Sequence, residues 1–304
     1  MPFFEELLKN KSLYLMTLPG LLILLLFNYL PMAGIVIAFK DYTPLLGYFR
    51  SKWVGFKNFE FLFKTSDALI ITRNTVLYNL VFITIGIVCS VGMAIILSEI
   101  NGKRLAKVFQ TGMLLPHFLS WVVVGYLVYA FLSTDTGILN RMLKQFYGMK
   151  AVNWYSTIKP WPFFLVFSNL WKTVGFNSII YLAAITGINP EYYEAALLDG
   201  ATKWQQIFKI TIPMIQPQIT ILFLLAIGGI FRSDFGLFYL VPRNSGILYP
   251  VTQTIDTYVY IGLTTMGDVG MTSAAGFYQS IVGFIMVLGS NLIVRKIDRE
   301  KALF

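Results

Sequence analysis

Residues able to do chemistry are few in this chain of 304 residues. One cysteine, Cys89, sits inside an apolar run, and one histidine, His117, follows Pro116. A thiolate metal site or a disulfide framework needs several cysteines, so neither can be assembled. His117 is expected to be a satisfied helix-end residue rather than a ligand. The sequence "NGKRL" at Asn101 offers only one glycine before its lysine, and no G-x-x-x-x-G-K-[ST] loop occurs, so the chain cannot bind and hydrolyse ATP by that route.

Polar chemistry concentrates in two stretches. The first is "SNLWKTVGFN", where Asn169, Trp171, Lys172, Thr173 and Asn177 lie within an otherwise apolar segment and Asn169, Lys172 or Thr173, and Phe176 recur at helical spacing. An ammonium at that depth must face a watery cavity or find partners inside the protein. Two readings stand: a polar wall along a path, or a carbonyl contact or internal pair that locks helices. The second stretch is "NPEYYEAALLDGATKWQQIFKITIP", Asn189 to Pro213, which holds Glu191, Glu194 and Asp199 between two apolar runs.

The elements that position these residues are membrane spans. The chain is 56% hydrophobic and 13% charged, against about 25% charged in soluble domains, and a bilayer core needs about 20 apolar helical residues. Six segments qualify, 13–38, 75–97, 111–132, 161–186, 213–231 and 273–294, so the fold class is an all-α integral membrane protein with six transmembrane helices, read as one domain over 1–304. The first segment is too long, and lacks the cleavage site, for a secretory signal. Pro19, Pro31 and Pro116 predict kinks or interruptions.

Six spans put both termini on one side. Lys103, Arg104 and Lys107 in the second loop, and Arg295, Lys296, Arg299 and Lys301 after the last span, favour a cytoplasmic location for those segments, although the first loop is also basic. The aromatics of that loop, Trp53, Phe56, Phe59, Phe61 and Phe63, are expected to be interfacial anchors. The net charge of +9 is scattered beside apolar runs, which suits anionic lipid of the bilayer and not nucleic acid. Polar residues inside spans, Asn79, Thr84, Ser90, Gln279, Ser280 and Asn291, read as interhelical hydrogen-bond formers, and Gly276, Gly283 and Gly289 as sites of close helix packing. Arg232 and Asp234 close span five, where snorkelling and local pairing are expected.

Two alternatives lack support in the residues. An ion-coupled secondary transporter would carry internal repeats and carboxylates inside its spans. A membrane-embedded enzyme would need a positioned nucleophile, acid/base pair or metal cluster.

In the segment 189–212, Asn189 suits an N-cap, Pro190 a first helical position, and Glu191 the positive end of a helix. Gly200 can end that helix in a left-handed conformation, and Thr202 with Gln205 has capping-box spacing for a second helix running toward Ile210. Tyr192, Ala195, Ala196 and Asp199 share one face of the first helix. The acidic groups would be repelled by anionic lipid, so a protein with basic residues is the better partner.

The stretch "EAALLDGATKWQQIFKITIP" resembles the EAA loop of ABC importer permeases, with Glu194, Ala195, Ala196, Gly200, Ile210, Ile212 and Pro213 at its anchor positions. "LPGLLILLLFNYLPMAGIVIAFKDY", "LLPHFLSWVVV" and "AAGFYQSIVGFIMVLGSNLIVRKIDRE" extend the resemblance to the oligosaccharide and polysaccharide branch of the carbohydrate importers. The resemblance implies a type I permease subunit in a bacterial plasma membrane, with both termini cytoplasmic and the EAA loop docked as a coupling helix on a cytoplasmic ATPase. Its partners would be a second related permease, two ATPase subunits that use ATP and magnesium, and an external solute-binding protein. The chain itself would bind no cofactor. Tyr192, Glu194, Ala195, Ala196, Asp199 and Gly200 would dock the ATPase. Asn169, Lys172, Thr173 and Asn177 would meet sugar hydroxyls, with Trp171 and Tyr278 available for stacking.

Overall fold

The structure is a computed structural model that describes residues 10–100 and 102–297. Among the described residues five helices are long and apolar enough to cross a membrane: α1 (Lys11–Phe39), α2 (Asp67–Ser98), α6 (Trp161–Thr186), α8 (Lys203–Gly228) and α9, which runs Val269–Ile297 with Val269–Leu292 as its apolar part. Between α2 and α6 stand α3 (Lys103–Phe118), α4 (Trp121–Leu132) and α5 (Ile138–Tyr147). A short α7 (Glu191–Leu198) joins α6 to α8. Arg299 and Lys301, expected to flank the last span, lie outside the described residues.

Two spans differ from expectation. The third is not one straight helix: α3 and α4 meet at 97°, and the pair counts as a sixth span only if taken together. Pro116 removes a backbone donor and crowds the preceding turn. Leu119 and Ser120 then turn extended (ψ 135° and 153°), and the Ser120 hydroxyl accepts a hydrogen bond from Val123 N (3.3 Å), starting α4 afresh. The fifth span begins ten residues earlier than Pro213. A π-helical turn over Ile207–Thr211 lies just before Pro213 and widens the helix where its ring would meet a carbonyl, so the separate second helix expected after Gly200 is the first turns of α8.

The chain divides into two compact units. The smaller comprises the N-terminal segment through Thr65 with Val259–Tyr278, and the larger Ser66–Tyr258 with the segment from Gln279 onward. In the smaller unit Lys11–Leu24 buries no residue, as a lipid-facing helix should. A two-stranded antiparallel ribbon, Lys40–Asp41 against Lys52–Trp53, closes the first loop, and Asn58 Nδ2 donates to the carbonyls of Ala38 (3.0 Å) and Lys40 (2.9 Å). Phe39, Phe56, Phe59 and Phe277 cluster there. Phe59 and Phe61 are therefore core residues, while Trp53, Phe56 and Phe63 remain exposed as anchors would be.

In the larger unit α2 packs along α6, and α3 and α8 pack on the same pair. Tyr78, Val124, Trp161, Leu165 and Leu248 form one buried cluster, and Val91, Ala94, Tyr181, Ile185 and Ile215 a second. The tightest helix crossing is at Gly175, where a methyl group would collide with the Met113 carbonyl of α3. Gly276, Gly283 and Gly289 do not serve this purpose within the chain: a Cβ at Gly276 or Gly289 would meet nothing within 4 Å, and at Gly283 only Phe231 Cβ at 3.9 Å.

Candidate functional site

The polar stretch after α6 is built as a capped unit. Asn189 Oδ1 accepts from Glu191 N (3.1 Å), so Asn189 caps α7 from one residue further out than expected, and the helix begins at Glu191. At its other end Ala201 N donates to Ala196 O (2.8 Å) and Gly200 N to Leu197 O (3.1 Å), the paired bonds of a Schellman ending, with Gly200 left-handed at φ 76°. Thr202 and Gln205 form the expected capping box, at 2.7 and 3.3 Å. Tyr193 faces inward: its hydroxyl lies 2.9 Å from Thr211 Oγ1 on α8, and its ring packs on the second buried cluster. Lys203 pairs with Glu99 at the end of α2 (2.8 Å).

No residue of α7 is buried. Tyr192, Glu194, Ala195 and Asp199 are exposed, as the shared face requires, while Ala196 is half-buried. Sequence reasoning missed Leu197 and Leu198, which are 67% and 90% exposed. Both leucines stand beside Asp199 at the end of the helix.

The intramembrane lysine lies at the helix break. Lys172 Nζ on α6 donates to the carbonyls of His117 (2.7 Å), Leu119 (2.5 Å) and Pro116 (3.4 Å), and sits 5.3 Å from the Trp121 ring centroid. Pro116 O already accepts from Leu119 N (3.2 Å), and the ammonium adds donors to the carbonyls that follow it at the end of α3, opposing the helix's negative dipole end. The His117 ring stacks on Phe176 (4.0 Å between centroids), and its buried Nδ1 has no hydrogen-bond partner, contrary to the expected satisfied histidine. Trp121 Nε1 in turn donates to Asp234 Oδ2 (2.6 Å), and Asp234 Oδ1 accepts from Gly236 N (2.9 Å), which is the local pairing expected of that carboxylate.

A cavity of about 320 Å³ opens between α2, α6 and α8. It is lined by Asn79, Ser90, Asn169, Thr173, Asn177 and Tyr181 among apolar residues. Three of the six predicted path residues, Asn169, Thr173 and Asn177, thus line one space; Trp171 and Lys172 do not, and Tyr278 belongs to the smaller unit. Asn79 and Ser90 were read only as helix-joining groups. Asn79 does join α2 to the residues just after α8, through Ile230 O (2.9 Å), but it also lines the cavity, as does Ser90, whose buried hydroxyl has no hydrogen-bond partner among the described residues. They lie on α2, far along the chain from the α6 stretch, so nothing in the sequence signals a shared wall.

Asp256 was also missed. It accepts from Ser233 N and Oγ (both 2.7 Å) and from Gln279 Nε2 (3.1 Å), tying the segment after α8 to α9. Among the described residues no group of three or more His, Cys, Asp or Glu side chains could hold a metal ion.

Residues 83–299 match the family described as the binding-protein-dependent transport system inner membrane component. The chain belongs to this family. This permease is 35% identical to Protein LplB of Bacillus subtilis over 96% of its own length and 91% of that protein's. It is 36% identical, over 97% and 91%, to the polygalacturonan/rhamnogalacturonan transport system permease protein YteP of the same organism. Among solved structures it matches a chain of a bacterial ABC transporter involved in the import of the acidic polysaccharide alginate, with a TM-score of 0.88, 34% identity and coverage of 98% and 100% of the two chains. A second match is to the bacterial alginate ABC transporter in complex with an alginate pentasaccharide-bound periplasmic protein, with a TM-score of 0.87, 33% identity and 98% coverage of each chain. The permease is therefore a multi-pass membrane component of an ABC importer, and the resemblance read from the EAA stretch is borne out at the level of the family.

Proposed function

We propose that this permease forms the membrane path for an oligosaccharide, delivered by an external solute-binding protein and driven by ATP hydrolysed with magnesium on partner subunits. The relatives' names support a sugar cargo: YteP is named for polygalacturonan and rhamnogalacturonan transport, and the solved relative for alginate import. A second related permease and two cytoplasmic ATPases complete the unit, in the bacterial plasma membrane, with both termini and α7 on the cytoplasmic side.

The observation that carries the proposal is the construction of α7. It is fixed by the Asn189 side chain at one end and a Schellman turn at the other, exposed except at Tyr193 and Ala196, and joined through Gly200 to the helix that forms span five. A helix of eight residues is too short to be stable alone, yet this one is held at Tyr193–Thr211 and braced nearby at Lys203–Glu99. Seated in a groove of an ATPase, with Tyr192, Ala195 and Leu198 as packing surface and Glu194 and Asp199 as polar contacts, it would move as a rigid piece. The continuous helix carries that movement into α8, which walls the cavity. Closure of the ATPase pair would then alternate the cavity's access between the two sides. Within the cavity Asn79 Oδ1, Asn169, Thr173 and Asn177 would offer amide and hydroxyl groups to sugar hydroxyls.

Reconstitution with the partner subunits tests this directly. Wild-type complex should couple ATP hydrolysis to uptake, and Ala195→Trp should keep the permease in the membrane while hydrolysis no longer drives uptake. Transport by this chain alone in liposomes under an ion gradient would overturn the importer mechanism in favour of secondary transport.

A further inference from the structure

A second cavity, about 310 Å³, lies apart from the first, between α4 and the segment that follows α8. Gly125 makes its floor possible: a methyl there would already sit 3.0 Å from the Leu240 carbonyl, so the two backbones meet closely and the side chains around them leave a hollow. Tyr126, Tyr239, Arg243 and Asn244 form its walls. On the orientation proposed above, this end of the larger unit faces outside.

The chemistry of these walls is directional. Arg243 and Asn244 both have left-handed backbones, φ 55° and 50°, and are the two non-glycine residues of positive φ among those described. Asparagine accepts that conformation readily, whereas arginine does so at a cost that surrounding structure must sustain. The segment is held by Asn244 N to Tyr239 O (2.9 Å), by the Tyr249 hydroxyl donating to Asn244 Oδ1 (2.9 Å), and by Ser245 Oγ donating to Tyr155 O (3.2 Å). The strained turn presents the Arg243 guanidinium, whose Cζ lies 4.2 Å from the Tyr129 ring centroid. This contact with the ring restrains the guanidinium but uses none of its N–H donors. Among the described residues its guanidinium makes no ion pair and no hydrogen bond, and the Asn244 amide NH2 has no protein partner. Tyr239 is itself steadied by stacking on Phe235 (4.8 Å). Burial pushes the nearby Tyr155 hydroxyl up to about 12, against the opposing pull of Arg243, so Tyr155 stays neutral and does not neutralise the guanidinium.

We infer that this cavity is an outer-face site for a carboxylate-bearing sugar unit, with Arg243 as the carboxylate ligand, Asn244 as a hydroxyl or ring-oxygen donor, and Tyr126 and Tyr239 as the walls against which the ring lies. A planar, pre-oriented guanidinium with free donors matches a carboxylate in two parallel bonds, and aromatic walls present apolar faces to a pyranose. The site deepens the proposed sugar transport, on which it rests, and gives the permease a preference for uronates separate from the cavity between α2, α6 and α8.

The test uses the complete reconstituted complex in nanodiscs of zwitterionic lipid, with trigalacturonate and its neutral analogue galactotriose as probes. Wild-type complex should bind trigalacturonate more tightly than galactotriose. Arg243→Gln should weaken trigalacturonate binding about tenfold or more and leave galactotriose binding unchanged, with Arg243→Lys between the two. Equal binding of trigalacturonate by wild type and Arg243→Gln, or failure of wild type to bind it, overturns the site. Phosphatidylglycerol in the nanodiscs provides the other arm: if it abolishes the Arg243-dependent binding, the guanidinium belongs to a lipid phosphate and the inference also fails. Arg243-dependent binding without ATP-driven uptake would instead overturn the importer reading and keep the site.

Discussion

Replacing Gly200 asks whether the shape of one backbone turn governs coupling. Its φ of 76° lies where L-residues rarely go, and an added Cβ would meet nothing within 4 Å in this chain. The penalty for a side chain is therefore conformational and not steric. Alanine should pay about 1–2 kcal/mol for the left-handed geometry, enough to shift the ordered helix end roughly five- to thirtyfold toward alternatives. Asparagine, which tolerates this region, should cost only a few tenths of a kcal/mol. Proline cannot reach a positive φ and also deletes the Gly200 N–H bond to Leu197 O, so it should cost about 3 kcal/mol or more. The assay is the ratio of substrate taken up to ATP hydrolysed by the reconstituted complex. The expected order is wild type, Asn, Ala, Pro. Asparagine is larger than alanine, so steric interference with a docked ATPase would reverse the middle pair; Ala coupling better than Asn refutes the backbone argument.

Other perturbations follow from the same geometry. Lys172→Met removes two short ammonium bonds to the carbonyls of His117 and Leu119, roughly 1.5–3 kcal/mol each, but also relieves about 2.5–3.5 kcal/mol for holding a charge in the membrane; the mid-range values leave a net loss of about 1.5 kcal/mol, which should lower the thermal unfolding midpoint, and an unchanged midpoint would show that the break does not depend on this cap. Gly175→Leu forces α3 from α6 at Met113 and should destabilise by about 1–3 kcal/mol, read as lost membrane yield. Tyr193→Phe deletes the bond to Thr211, worth about 1 kcal/mol, and should reduce uptake more than ATP hydrolysis; equal effects on both would place the tether outside the coupling route.

The segment from Asn189 to Gln205 was legible because its instructions are local. Caps, a left-handed glycine and a capping box are written within a few residues, and the structure shows each within a residue of its expected place. The span Trp161–Thr186 was legible for a similar reason, since apolar length alone sets it. Pro116 announced an interruption, yet not a turn of 97°, because the angle depends on Ser120 starting a new helix and on Lys172 reaching over from α6 to hold the open carbonyls. Pro213 was misleading: it marked the family motif but not a helix start, since a π-turn absorbs it.

What the sequence determined by itself was the class, a helical membrane chain, and one capped polar element set between two of its spans. Hydrophobic length, capping chemistry and turn glycines act over neighbouring residues and can be read in order. Which polar side chains share a space was decided by the tertiary structure alone. Asn79, Ser90, Asn169 and Asn177 come from two helices whose facing sides are set by how α2 packs along α6, and Arg243 meets Tyr129 only because Gly125 lets two backbones touch. Inside a membrane every helix surface is apolar enough for lipid, so periodicity carries little record of which side faces a neighbour; packing of small against large side chains decides it.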